Sequence, residues 1–183
     1  MATNNAGCHS IDSFISNFKG GTRTNRFRII GGIGRSGSTS SPMSAFHIRT
    51  ASMPEAVLGK IPINYRGRTV NYPGDRVYLP WQITVLDESG NNNNLYKAFH
   101  TWHNAINNHT TNISASTNPK THFATDWSVE QYDTNGSGII KKFLLKNCWP
   151  IGVGQIPLSM NEDNQLAAFS VTMLFTHYTT TIN

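Results

Sequence analysis

Charge is what this chain has least of. Only 14% of its 183 residues are Asp, Glu, Lys or Arg, and the acids number ten. The acids fall mostly in turns, and no two are spaced for acid–base work. No Ser or Cys stands in a nucleophile-elbow context, and no phosphate-binding loop ends in Gly-Lys. The expectation is a protein that is not an enzyme and holds no cofactor and no metal. Cysteine is scarce too: Cys8 and Cys148 have no partner spacing and read as free thiols. No apolar run approaches the roughly 20 residues of a membrane span, and the N-terminus lacks a signal-peptide core. Such a chain is expected to be made in the cytosol and to engage no membrane.

What is abundant is Asn, Thr, Ser and Gly, the composition of a β protein with decorated loops. The formal net charge is +5, and ten of the 15 Lys/Arg lie before residue 89 with five of the ten acids. These arginines stand one at a time between apolar residues, as on a solvated sheet face. A duplex-binding domain gathers its bases into one patch or helix.

The chain is organised around Met53–Glu88. There Val77, Leu79, Trp81, Ile83 and Val85 alternate with Tyr78, Pro80, Gln82 and Thr84. A period of two predicts a half-buried strand with Trp81 as its largest anchor. Earlier, Ile61, Ile63 and Tyr65 alternate with Pro62, Asn64 and Arg66, and Arg66-Gly67-Arg68 predicts a hairpin tip, with Gly67 supplying positive φ. Pro62 cannot donate to a ladder, which places its strand at an edge or bulge. Pro73-Gly74-Asp75-Arg76 reads as a corner.

From the start, residues 1–9 read as a mobile arm. Ser10 offers an N-cap to a short helix carrying Ile11, Phe14, Ile15 and Phe18, stopped by Gly20-Gly21. A helix this short must dock on its own subunit or on a neighbour. Arg26–Ile30 is a strand. Gly32-Ile33-Gly34-Arg35-Ser36-Gly37 fits a dinucleotide pattern, but Ser38–Pro42 cannot begin the helix that pattern needs. Ser44–Ala51 is a strand with Phe46 and Ile48 on one face and His47 and Arg49 on the other. Leu95, Phe99, Trp102 and Ile106 predict a helix from Leu95 to about Asn107, lying on a sheet. His100 and His103 on it read as surface histidines, since no carboxylate or cysteine is near to complete a metal set.

Asn108–Thr125 has no hydrophobic periodicity, and a loop of that length is functional or lies at a contact. The glycosylation patterns at Asn108, Asn112 and Asn135 carry no weight in an Asn-rich chain with no secretion signal. Trp127, Val129 and Gln131 open a strand that turns at Asp133–Gly138 and returns as Ile139–Lys146, ended by Cys148-Trp149-Pro150. Ile151–Asn164 is a loop with an acidic tip. A single strand from Gln165 to about Tyr178 puts Phe169, Val171, Met173 and Phe175 on the core side, with Ser170, Thr172 and Thr176 opposite, and projects past its sheet. The sum is roughly seven strands and two helices in one domain, a sandwich or barrel with the mid-chain helix over one open side.

Several motifs, in order and spacing, carry a resemblance. They are Met53-Pro54, Gly59-Lys60-Ile61-Pro62, Arg66-Gly67-Arg68, Gly74-Asp75-Arg76, Trp81–Asp87, Phe99 with Trp102, and Leu145–Pro150. Over about Phe14–Tyr178 the chain resembles the tail tube protein of T4-like contractile-tailed bacteriophages. Residues 31–43 and 108–125 look like inserted loops, and the arm 1–9 is extra. The resemblance implies one tail-tube domain over residues 1–183. Its fold would be a two-sheet antiparallel β-sandwich or barrel with one flanking α-helix and a short N-terminal helix.

It implies further that six copies form a ring, sheets joining edge to edge around the lumen, and that rings stack into the rigid tube inside a contractile sheath. The tube would be needle and conduit for double-stranded DNA. Its partners would be itself, the tail sheath protein, a baseplate tube initiator and the tape measure protein. Its location would be the virion tail, and the host cytoplasm during assembly. An alternative is the inner tube of a headless contractile injection or type VI secretion system, passing protein. A small barrel binding single-stranded nucleic acid would need aromatics on a basic strand face, whereas these lie on the apolar side.

Within that frame, Gln82, Thr84, Ser170 and Thr172 are the expected lumen-facing residues, small and uncharged. Ring stacking is expected at Met53–Gly59, the Tyr72–Arg76 corner and the Ile151–Asn164 loop. The contact residues would be Lys60, Arg66, Arg68, Asp75, Arg76, Glu162 and Asp163.

Overall fold

The computed structural model describes residues 11–18, 20–34, 47–88, 94–114, 124–161 and 165–182. The expectations for residues 1–9, Ser10, Cys8, Phe46, Glu162 and Asp163 lie outside the described residues. Nine strands are described: β1 (Phe27–Gly31), β2 (Ile48–Ala51), β3 (Ala56–Tyr65), β4 (Arg68–Tyr78), β5 (Trp81–Leu86), β6 (Thr125–Tyr132), β7 (Ile139–Val153), β8 (Ala168–Leu174) and β9 (His177–Ile182). The helices are α1 (Ile11–Asn17) and α2 (Leu95–Ile106).

Six strands follow one antiparallel hydrogen-bonded path, β1-β6-β7-β8-β5-β2, with β9 pairing β7 off that path, while β3 and β4 form a separate two-stranded ribbon. The path becomes two leaves because β7 changes partners along its length. Its first part pairs with β6 and β9, and Trp149–Val153 pair with β8. Between them Asn147 takes a φ of 56°, a left-handed position Asn tolerates. A strand bent there serves both leaves.

The core lies between the leaves. Ile29, Trp127, Val129 and Leu145 face it from one side, and Trp81, Ile83, Val85, Phe169, Val171 and Met173 from the other. Trp81 meets Trp127 edge to face with ring centres 5.9 Å apart. Both indole N–H groups donate, Trp81 to the Ser52 carbonyl and Trp127 to Thr125 Oγ1. Gly31 is required here, because a Cβ would sit 2.1 Å from the Trp127 ring. Helix α2 starts where Asn94 Oδ1 accepts the Lys97 N–H at 2.8 Å. It buries Leu95, Phe99 and Trp102, and Phe99 and Tyr96 both lie edge-on to Phe169 of β8.

Several expectations need correction. Val77 and Leu79 do not continue the Trp81 strand: β4 ends at Tyr78, and both are exposed, at 57% and 36%. Tyr78 turns inward instead, against Phe175 and Tyr178. Pro73–Arg76 is no corner. β4 runs straight through it, with a register shift opposite Leu58/Lys60 where the Gly59 and Gly74 backbones approach closely. Cys148-Trp149-Pro150 does not end β7, which runs to Val153. The long final strand is two strands, β8 and β9, separated at Phe175-Thr176, where the Thr176 N–H donates to the Lys146 carbonyl at the β7 bend. His100 is half-buried, with Nε2 lacking a hydrogen-bond partner. The expected strand at Ser44–Ala51 is described only as Ile48–Ala51, with Ile48 in the core as expected.

Candidate assembly surfaces

Four surfaces stand out, and the first is the ribbon. Its tip is the predicted one: Arg66 and Gly67 both have positive φ, 49° and 78°, as a two-residue turn matching strand twist requires. Cross-strand register sorts its residues onto two faces. Val57↔Val77, Ile61↔Tyr72, Ile63↔Val70 and Tyr65↔Arg68 share one. Lys60↔Pro73, Pro62↔Asn71 and Asn64↔Thr69 share the other, where Thr69 Oγ1 donates to Asn64 Oδ1.

The seven apolar side chains of the first face are 46–64% exposed. Full burial of such a side chain is worth about 1.5–3 kcal/mol, so covering seven half-exposed ones contributes on the order of 5–10 kcal/mol before association costs. A lone two-stranded hairpin is marginal in water. This ribbon requires a cover.

Five expected contact residues lie on the ribbon. Lys60 is on its polar face, Arg66 curls over the Tyr65 ring at 5.3 Å, Arg68 faces Tyr65, Asp75 falls in the register shift and Arg76 opposes Leu58. Among the described residues none of the five is in a salt bridge. The expected stacking segments Met53–Gly59 and Tyr72–Arg76 are the base of this ribbon, paired strand for the most part, not free loops.

The second surface is the outer face of the β2-β5-β8 leaf. Gln82 pairs with Thr172 and Thr84 with Ser170, so the four expected lumen residues form two adjacent rungs. Thr50 extends the Thr84 rung and Gly152 the Thr172 rung. The Gly154 N–H donates to the Ser170 carbonyl at 2.6 Å, and a Cβ there would meet Ser170 Oγ. These rungs hold hydroxyls, an amide and bare backbone, with no charge.

The third surface is the outer face of the other leaf, and it is charged. One rung runs Arg28↔Glu130↔Lys142↔Thr181. Glu130 is only 3% exposed. Lys142 Nζ lies 2.9 Å from its Oε1 and Arg28 Nε 3.7 Å from its Oε2. The Tyr132 and Ser128 hydroxyls also donate to it. Burial alone would raise the Glu130 carboxyl, but the Lys142 and Tyr132 hydrogen bonds and the Lys142 and Arg28 charges outweigh it and hold the pKa below its ordinary value. Burial and the bond to Glu130 push Tyr132 up. Beside the cluster is an open groove of about 410 Å³, reaching from Ile30 to Leu144. Sequence reading missed this cluster. Its only local signal was Ser128 and Glu130 alternating with Trp127 and Val129.

The fourth surface is α1. It buries no residue, and Ile11, Phe14, Ile15 and the following Phe18 are 55–74% exposed. Phe14 and Phe18 stack on each other at 5.0 Å.

Among the described residues no three His, Cys, Asp or Glu lie close enough to hold a metal ion. Cys148 is buried and free, its thiol pushed up to about 12 mainly by burial. No described helix is long and apolar enough to cross a membrane.

A family model described as phage tail tube protein matches residues 24–181. The tail tube protein of Serratia phage KSP90 is 31% identical over 121 residues, 66% of this chain and 66% of its own length. Tail tube protein gp19 of Enterobacteria phage T4 is 23% identical over 133 residues, 73% of this chain and 79% of its own. Among solved structures, the sheath/tube terminator of an extracellular contractile injection system, PVC, in the extended state superposes with a TM-score of 0.64 at 13% identity, covering 89% of this chain and 98% of that one. The anti-feeding prophage tube-terminating cap gives a TM-score of 0.62 at 16% identity, covering 100% of both. At these identities the likeness to solved structures is one of fold.

Proposed function

This chain belongs to the phage tail tube protein family, and from that premise we propose that six copies close into a ring, that rings stack into the inner tube of a contractile tail, and that the tube is needle and conduit for double-stranded DNA at genome ejection. The observation that carries this reading is the ribbon: paired strands whose apolar face has no cover within the subunit described. A chain that folds this way is incomplete until another copy reaches it.

Edges support the same reading. β1 and β2 end the strand path, each with one side unpaired among the described residues. Six such edges closing on one another remove a standing aggregation liability. An obligate interface of that kind exceeds about 2,000 Å². The outer rungs of Gln82, Thr84, Ser170 and Thr172 then line the lumen. Lysines there would bind phosphates along the whole tube by counterion release, steeply with falling salt, whereas hydroxyls and amides let the duplex slide.

Lys60, Arg66, Arg68, Asp75 and Arg76 on the ribbon, with Glu162 and Asp163, supply charges between rings. The whole of residues 1–183 acts as one structural domain, without enzymatic activity or cofactor. Its partners are other copies, the tail sheath protein, a baseplate initiator and the tape measure protein, in the virion tail and, during assembly, in the host cytoplasm. The curated relatives are phage proteins, which favours DNA over protein as the cargo. Negative-stain microscopy of the purified chain tests the core of this reading. Rings or hollow rods are expected, and a monomer at every concentration would refute it.

A further inference from the structure

Among the described residues, one β-ribbon and one helix each present an apolar face without a cover, and the two faces are of different kinds. One is the Val57/Ile61/Ile63/Tyr65 and Val70/Tyr72/Val77 face of the ribbon; the other is the Ile11/Phe14/Ile15/Phe18 stripe of α1. We infer that α1 of one copy lies along the apolar face of the ribbon of another copy. The inference rests on the tube reading above, because it needs copies held side by side. It also goes beyond the family pattern, whose match begins at residue 24, after α1 has ended.

Four features argue for this occupant. The two surfaces come in equal number in any homo-oligomer, so every α1 stripe finds a ribbon to lie on. Their charges are complementary over the helix itself: α1 carries Asp12 and no base, with Lys19 following Phe18 in sequence, while the ribbon carries Lys60, Arg66, Arg68 and Arg76 against Asp75. Arg68 stands on the apolar face itself, opposite Tyr65, where Asp12 at the border of the helix stripe can meet it. The dimensions also fit. A seven-residue helix is about 10 Å long, and the ten residues of β3 extend about 33 Å, so the stripe covers part of one ribbon and leaves room for a second contact. Finally, the nine-residue step from Phe18 to Phe27 reaches up to about 30 Å, enough to leave its own subunit. Within that subunit α1 touches no core.

Mixing two separately purified chains, both in a Cys8→Ser background, tests the contact. One carries Phe14→Cys and the other Tyr72→Cys, and the mixture is assembled, oxidised and run on a non-reducing gel. A disulfide-linked dimer is expected, about tenfold more abundant than with Asn71→Cys, which sits at the same height on the opposite face and cannot offer a Cβ in bridging geometry. Equal cross-linking of both partners, or none while rods are visible by microscopy, overturns the helix contact and leaves the tube reading standing. A chain carrying both cysteines that links only within itself overturns it as well, because α1 would then serve its own ribbon. A wild-type chain that never assembles sinks the tube reading and this contact together.

Discussion

The body of this protein and its ribbon are written in the same code and come to opposite ends. In β5 and β8 every second residue is apolar, and Ile83, Val85, Val171 and Met173 are at most 1% exposed. In β3 and β4 every second residue is apolar over most of the length, and those side chains remain about half exposed. Nothing in composition separates Ile61-Pro62-Ile63 from Ile83-Thr84-Val85 as a surface to be covered. The difference is where the cover comes from. The body's faces are covered by each other and by α2, whereas the ribbon has no second layer within the described residues. Apolar alternation therefore marks a face that must be buried, and says nothing of whether the same chain buries it.

Mutations sharpen this contrast, and the largest effect on the stability of the single subunit belongs in the body. Phe169→Ala removes a ring that touches Tyr96 and Phe99 at the heart of the core, and should cost about 3–5 kcal/mol in urea unfolding of the subunit. Glu130→Gln comes next. It leaves Lys142 and Arg28 without a counter-charge, but both are about half exposed and can turn to water, so the expected loss is about 1–3 kcal/mol.

The same cluster predicts acid sensitivity. The folded pKa of Glu130 lies below the ordinary 4.5. Its contribution is therefore complete above that pH and lost as the pH falls from 4.5 through the depressed value. Acid titrations should show the wild type losing stability in that window and Glu130→Gln losing less. Equal slopes would remove the cluster from the account.

On the ribbon the sign of the contrast reverses. Ile63→Ser with Tyr72→Ser should change subunit unfolding by under about 0.5 kcal/mol, as for exposed positions generally, yet abolish rings and rods in the microscope. A matching loss of subunit stability would mean that the ribbon is covered by its own chain. The smallest structural effect belongs to Thr84→Lys with Thr172→Lys, on the neutral rungs. Rods should still form, but they should retain added double-stranded DNA in a sedimentation assay at low salt and release it as salt rises. Retention no different from wild type would place those rungs away from the lumen.

Much of the fold was legible because it depends on neighbours in sequence. The ribbon tip needed only Arg66-Gly67, α2 only its stripe, and the β6/β7 hairpin only the Asp133–Gly138 turn. What misled was continuity of pattern. Val77 and Leu79 are in phase with Trp81, and only Pro80, which has no N–H for a ladder, marks the place where the strand breaks; nothing local says that Tyr78 turns inward. Likewise Phe175 is in phase with Met173, yet the chain bends there to give β9 back to β7. Of the expected site residues, Gln82, Thr84, Ser170 and Thr172 do share one face. Lys60, Arg66, Arg68, Asp75 and Arg76 share the ribbon, for a reason the alternation of Ile61, Ile63 and Tyr65 could have supplied. Glu130 was missed although Lys142 faces it across the legible β6/β7 hairpin; its other cation, Arg28, comes from β1, distant along the chain.

By itself the amino-acid order determined which residues alternate and where the Arg66-Gly67 and Asp133–Gly138 turns fall, because each of these depends on bond geometry and side-chain chemistry within a few residues. Tertiary structure alone decided that Asn147 bends β7 into both leaves, that Glu130 is buried among cations, and that one apolar face becomes core while another stays bare. Burial is a relation between surfaces far apart in the chain, and a period of two names a face without naming what lies against it.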